Sequence, residues 1–129
     1  MESSDFSRIR RFLGKTQLEL ANLLCVSPKA VQSFEQGWRK IPASAERQLL
    51  TILSLRKPGE AASKPCWEIK ECPSEWRDKC VVWEFKARSL CWLLSGTCCQ
   101  GVVRKKWDEK IKLCRQCEVF QLAFPFILD

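Results

Sequence analysis

Nine cysteines and no histidine in a chain of 129 residues limit what this sequence can build more than any other feature. All the cysteines except Cys25 lie between Cys66 and Cys117. Without an imidazole there is no Ser/His/Asp or Cys/His catalytic pair and no mixed Cys/His zinc finger. A metal bound here is therefore held mainly by thiolate. The length suits one ordinary domain or two small ones, and a unit of about 60 residues buries so little apolar surface that it benefits from a staple.

No apolar run approaches the roughly 18 residues of a membrane span. Met1-Glu2-Ser3-Ser4-Asp5 is acidic and polar, unlike a signal peptide. These features predict a cytoplasmic protein with no membrane partner. In that compartment thiols stay reduced, which favours metal binding or redox chemistry over disulfides. Outside the cysteines there is no paired acid and base, no Gly-rich phosphate loop and no substrate-positioning motif, so no enzyme is expected.

Composition changes near position 60. Lys57-Pro58-Gly59-Glu60-Ala61-Ala62-Ser63-Lys64-Pro65 has linker character, which divides the chain into residues 1–57, a linker 58–65 and residues 66–129. Residues 1–57 hold ten basic and five acidic side chains, a net of +5; the remainder hold twelve and ten, a net of +2. The basic excess belongs to the first unit.

Helical signals are strong in that unit. Phe6, Ile9, Phe12 and Leu13 form a stripe on a first helix. Thr16-Gln17-Leu18-Glu19 is a capping box that opens a second, whose buried face is expected to hold Leu18, Leu20, Ala21, Leu23 and Leu24. Ser27-Pro28 restarts the chain as cap and first-turn proline. The third helix, Pro28 to about Gln36, turns Ala30, Val31 and Phe34 inward and ends at Gly37. A fourth, about Ser44 to Leu55, offers Leu49, Ile52 and Leu53 to the core.

Gln17-Leu18-Glu19-Leu20-Ala21, Val26-Ser27, Val31, Phe34-Glu35-Gln36-Gly37 and Arg39-Lys40-Ile41-Pro42 together resemble the Cro/C1 (XRE) helix-turn-helix over residues 6–55. The resemblance implies double-stranded DNA as partner, with the third helix in the major groove and the second across the backbone. It implies base contacts from Lys29, Gln32 and Ser33, packing of Pro28 at the groove, and phosphate contacts from Gln17, Gln36, Arg39, Lys40 and Arg10. The family usually has Gly where this chain has Cys25, so a strained or reshaped turn is expected there.

In the second unit the cysteines stand at 66, 72, 80, 91, 98, 99, 114 and 117. Cys114-Arg115-Gln116-Cys117 is a CxxC, the usual way a short segment supplies two ligands. Disulfides, a structural zinc and an iron–sulfur cluster all remain open. Zinc sites commonly show two close ligand pairs, whereas most of the other cysteines here are spread, which favours a cluster, of the 4Fe-4S type, with zinc as the alternative. The candidate ligands are Cys66, Cys72, Cys80, Cys91, Cys98, Cys114 and Cys117. The tryptophans are expected to serve as core. The basic run Arg104-Lys105-Lys106 is expected to be solvated, and the apolar end Phe124-Pro125-Phe126-Ile127-Leu128 to close the core or form a dimer contact.

Cys66-Trp67-Glu68, Cys72-Pro73, Cys80, Cys91-Trp92, Gly96-Thr97-Cys98, Lys110 and Cys114-x-x-Cys117 with Val119-Phe120 resemble the small bacterial two-CW cysteine-rich domain over residues 65–121. Cys99 lies outside that pattern.

The whole chain is thus expected to be mainly α, a four-helix helix-turn-helix domain followed by a small, metal- or cluster-stabilised domain with little regular sheet. The expected function is a homodimeric, sequence-specific transcription regulator with a cysteine-rich, redox-sensing unit. The rivals are a zinc-stapled adaptor that binds DNA constitutively and a redox carrier tethered to DNA.

Overall fold

The computed structural model describes residues 1–56, 65–94 and 106–124. Residues 58–64 of the predicted linker 58–65, Cys98 and Cys99, Arg104-Lys105 and the apolar end beyond Phe124 lie outside them. Among the described residues the chain is helical, with no strand. It divides into two compact units, Met1–Lys57 and Pro58–Asp129.

The first unit has four helices: α1 Ser3–Leu13, α2 Gln17–Leu24, α3 Pro28–Gln36 and α4 Ala43–Arg56. Their ends follow from local chemistry. Thr16 Oγ1 accepts from the Glu19 amide while Glu19 Oε1 accepts from the Thr16 amide, each at 3.1 Å, so the box opening α2 satisfies two end donors reciprocally. Ser27 Oγ accepts from the Ala30 amide at 3.1 Å, and Pro28 follows where no amide hydrogen is required.

Helices α1, α2 and α3 each end on a left-handed residue, Gly14, Cys25 and Gly37. In each case the next amide reaches back to the carbonyl of the last turn, as in Val26 N to Ala21 O at 3.0 Å and Trp38 N to Ser33 O at 3.0 Å. Cys25 adopts φ 55°, a region that costs a residue with a Cβ about 1–2 kcal/mol. Glycine would relieve that strain, less about 0.5–1 kcal/mol for its freer unfolded chain. Cys25→Gly is expected to raise the stability of this unit by about 0.5–1 kcal/mol, read as a higher urea midpoint of the helical signal, whereas Cys25→Ala gives no gain.

Phe6, Ile9, Leu13, Leu20, Ala21, Leu24, Ala30, Val31, Phe34, Ile41, Ala45, Leu49, Leu50 and Leu53 form the core. The Phe6 and Phe34 rings meet edge to face, with centroids 5.6 Å apart. Three residues expected inside are outside: Phe12, Leu18 and Leu23 are exposed, and Ile52 is only half-buried. Four helices surround one small core, and each buries a stripe about two residues wide per turn, as Leu20 with Ala21 and Ala30 with Val31 do, so the apolar positions beyond it stay at the surface. Leu50 takes the inward place on α4 beside Leu49 and Leu53. Glu46 is also buried on α4, its Oε1 3.3 Å from the Met1 ammonium.

The second unit is built from short pieces: α5 Cys66–Ile69, α6 Ser74–Arg77, α7 Val81–Phe85, a 3₁₀ segment Arg88–Leu93, α8 Trp107–Arg115 and α9 Glu118–Ala123. Val82, Cys91 and Val119 are buried at one centre, with Cys66, Trp67, Ile69, Cys80, Leu94 and Cys117 packed against them. Trp92, Phe120 and Phe124 are buried, and the Trp92 and Phe124 rings meet at 5.5 Å. The expectation that tryptophan serves as core holds for Trp92. Trp67, Trp83 and Trp107 are half-buried and Trp76 is exposed; Trp67, Trp76 and Trp83 stand on helices of four or five residues, which offer no wide face to cover an indole.

Candidate functional site

In the first unit α2, the Cys25 turn and α3 leave one polar face outward. Lys29, Gln32 and Gln36 are exposed on α3, with Ser33 half-buried beside them and Pro28 exposed at its start. Ala30, Val31 and Phe34 alternate with these and fix the helix from below. Arg39 and Lys40 follow in the exposed segment after Gly37, and the Arg39 guanidinium carbon lies 5.7 Å from the centre of the Phe34 ring.

Arg10 and Gln17 occupy a different setting from the outward phosphate role expected of them. Both converge on Glu35 of α3. Arg10 Nε and Nη2 donate to the two Glu35 oxygens, its Nη1 donates to the Lys15 carbonyl at 2.9 Å, and Gln17 Nε2 donates to Glu35 Oε2 at 3.0 Å. The Arg10 and Glu35 side chains are only 16% and 9% exposed. This hub ties α1, α2 and α3 together, so Arg10 is a strut and its charge is directed at a carboxylate. The spacing of motifs did not reveal the pair, because its members are 25 residues apart.

Burial pushes the Glu35 carboxyl up, but hydrogen bonds from Arg10 and Gln17 and the charges of Arg10 and Arg11 outweigh it and leave the group below its ordinary value of 4.5. Glu19 is lowered too, by its hydrogen bonds with Thr16. A carboxyl with a depressed folded-state value stabilises the fold above the unfolded value and loses that contribution as pH falls through the folded one. The stabilisation that Glu35 and Glu19 give the first unit is therefore expected to be present in full above their ordinary value of 4.5 and to be lost progressively below it. Urea melts across pH check this, and Glu35→Gln should flatten the acid slope while lowering stability at pH 7.

In the second unit six of the seven candidate ligands come together. Cys66, Cys72, Cys80, Cys91, Cys114 and Cys117 line one cavity of about 300 Å³. Each is placed by a helix end or turn. Cys66 opens α5, and the Cys72 amide closes the turn after it on the Trp67 carbonyl at 3.0 Å. Cys80 caps α7 and Cys117 caps α9. The Cys117 amide bonds to the Cys114 carbonyl at 2.9 Å, closing the CxxC turn. The seventh, Cys98, lies outside the described residues.

The remaining walls are largely apolar, with Trp67, Trp76, Trp83, Val82, Val119 and Phe120, while Lys70 and Arg77 contribute charge. Trp67 and Trp83 meet edge to face at 4.9 Å, and the Lys86 ammonium sits 3.3 Å from the centre of the Trp83 ring. A hydrogen bond with Cys66 and burial push the Cys91 thiol well above its usual range, against the opposing charge of Lys110. Among the described residues no three Cys, Asp or Glu side chains converge on a point that would hold a single ion in this arrangement. The thiols surround a volume.

Lys110 itself was not singled out as a site residue, yet it is 3% exposed, on the face of α8 that also carries Ile111 and Cys114. Its i, i+4 spacing from Cys114 was the available signal.

Comparison of the chain with protein-family models, with curated proteins and with solved structures finds no match.

Proposed function

We propose that the chain is a sequence-specific DNA-binding transcription regulator whose second unit holds a thiolate-ligated iron–sulfur cluster. The observation that carries the DNA reading is α3: an exposed polar face of Lys29, Gln32 and Gln36, locked from behind by Phe34 and by Glu35 in its hub with Arg10 and Gln17. Base-reading side chains need this rigidity, because phosphate contacts set register and only a few groove-facing groups carry sequence choice. Arg39 and Lys40, together with Gln36, are the phosphate contacts in this reading.

The donor set of the second unit fits a cluster. A zinc ion requires four ligands within about 2.3 Å of one point, whereas a cluster takes thiolates at separate corners and favours an apolar shell. Six thiols around an apolar-walled volume match the second description. Four of Cys66, Cys72, Cys80, Cys91, Cys114 and Cys117 would supply the thiolates. The cluster, when bound, supplies one-electron redox chemistry. The protein's part is to tie α5, α7, the 3₁₀ segment, α8 and α9 together through those sulfurs, so that ligation orders these elements. In a homodimer, order in this unit adjusts the separation of two α3 helices, which must match half-sites about 34 Å apart.

The experiment is anaerobic purification of the whole chain, analysis for iron, sulfide and zinc, and DNA-binding titrations at several salt concentrations. Iron and sulfide in comparable amounts are expected, together with an affinity whose logarithm falls with log salt by about 0.9 for each phosphate neutralised. With Arg39 and Lys40 engaged on phosphates, that slope is about −2 per protomer. A colourless preparation with one zinc per chain would overturn the cluster reading, and a salt-independent affinity would overturn the DNA reading.

A further inference from the structure

Lys110 is a charged side chain where a small unit tolerates charge least. It is 3% exposed, flanked by Ile111, and one helical turn ahead of Cys114 on the same face of α8. That helix packs on the 3₁₀ segment that carries the buried Cys91. Taking an ammonium out of water is costly unless negative charge lies close by. Lys110 thus shares the buried face of α8 with a thiol that lines the cavity.

The other cations near the cavity are less deeply buried. Lys70 and Lys86 are exposed, so water and salt screen their fields, and Arg77 and Arg115 are half-buried, Arg115 with its Nη2 inside. A buried charge is screened far less.

We infer that Lys110 is the buried counter-charge of the thiolate-held cluster and sets its reduction potential. The inference rests on the cluster reading above. Four thiolates give the site negative charge, and each electron taken up adds more. A fixed, unscreened ammonium stabilises the reduced form more than the oxidised one, so it raises the potential; net charge and burial are the protein's main levers on such a centre. Lys110 acts through this field and is a positioning residue for charge, with no bond to the cluster required of it.

The test compares the whole chain with Lys110→Met, Lys110→Gln and Lys110→Arg, each purified and reconstituted anaerobically with iron and sulfide. The readouts are iron and sulfide per chain and the midpoint potential from an optical redox titration. In the neutral variants that load, the equilibrium constant for one-electron reduction is expected to fall about tenfold, a shift of about 59 mV to lower potential, while Lys110→Arg stays close to the parent chain. If neither neutral variant loads but Lys110→Arg does, the requirement for positive charge is upheld by iron content alone. A loaded Lys110→Met or Lys110→Gln with the parent's potential overturns the inference and leaves the cluster reading standing. So does failure of all three variants to load, since burial of that particular side chain would then be what matters. A parent chain that takes up no iron and sulfide overturns both.

Discussion

Serine in place of both Cys114 and Cys117 is expected to abolish iron and sulfide uptake and to unfold the second unit while the first keeps its helices. The reason lies in how little else holds residues 66–124 together. Helices α5, α6, α7 and α9 have four to six residues each, well below the roughly 12–15 at which an isolated helix becomes even marginal. The central buried set is Val82, Cys91 and Val119, ringed by four more cysteines or indoles such as Cys66, Cys80, Cys117 and Trp67. Sulfur atoms are thus part of the core as well as candidate donors. Thiolate ligation of a structural zinc contributes on the order of 10 kcal/mol to folding in small domains, and a comparable contribution from a cluster would be large for a core as small as this one. Far-ultraviolet circular dichroism should lose the share of helix belonging to the second unit, and one-dimensional proton spectra should lose the shifted indole signals of Trp67, Trp83 and Trp92. Signals from Phe6 and Phe34 should persist. Cys25→Ser, at an exposed turn far along the sequence from the cavity cysteines, should leave metal content unchanged. Retention of full iron and sulfide by the Cys114/Cys117 variant would show that these two thiols are not ligands.

The two units were unequally legible from sequence, and the contrast has a physical cause. In the first, the signals are local: Thr16 with Glu19, Ser27 with Pro28, and Gly37 each act within one helical turn, so the ends of α2 and α3 follow from the residues themselves. Even the departure at Cys25 was readable as a turn under strain, and the left-handed backbone there is its form. What failed was the breadth of the buried face. Phe12, Leu18 and Leu23 have the right periodicity, but periodicity gives a direction and the size of the opposing surface decides how wide a stripe is covered. Pairings across distant sequence, Arg10 with Glu35 and the Met1 ammonium with Glu46, were beyond any local signal. In the second unit, helices of four to six residues are shorter than the window in which periodicity can be recognised, so their positions were not readable. The cysteine spacings pointed to a shared purpose, while the convergence of six of them on one cavity is a product of tertiary packing.

Lys29→Ala combined with Gln32→Ala is expected to remove most sequence discrimination while leaving the fold intact. Both side chains are exposed on α3, and the core contacts of that helix come from Ala30, Val31 and Phe34, so neither substitution opens a cavity. Alanine is also the better helix former at each position. If the two side chains read base edges, each carries about 1–3 kcal/mol of discrimination, so the pair accounts for about 2–6 kcal/mol, at least a thirtyfold fall in the ratio of specific to non-specific affinity. Affinity for unrelated DNA should change much less, and the salt slope should stay close to that of the parent chain. Arg39→Ala with Lys40→Ala should do the reverse. Those residues lie in the exposed segment after Gly37, and as phosphate contacts they carry no sequence information. Their loss should weaken binding to all sequences alike and reduce the slope of log affinity against log salt by about 2. The two double variants therefore separate reading from anchoring in one set of titrations against a selected site and a scrambled one. Unchanged preference in the Lys29/Gln32 variant, with thermal stability at the parent level, would move base recognition off α3 and with it the assignment of the major-groove helix.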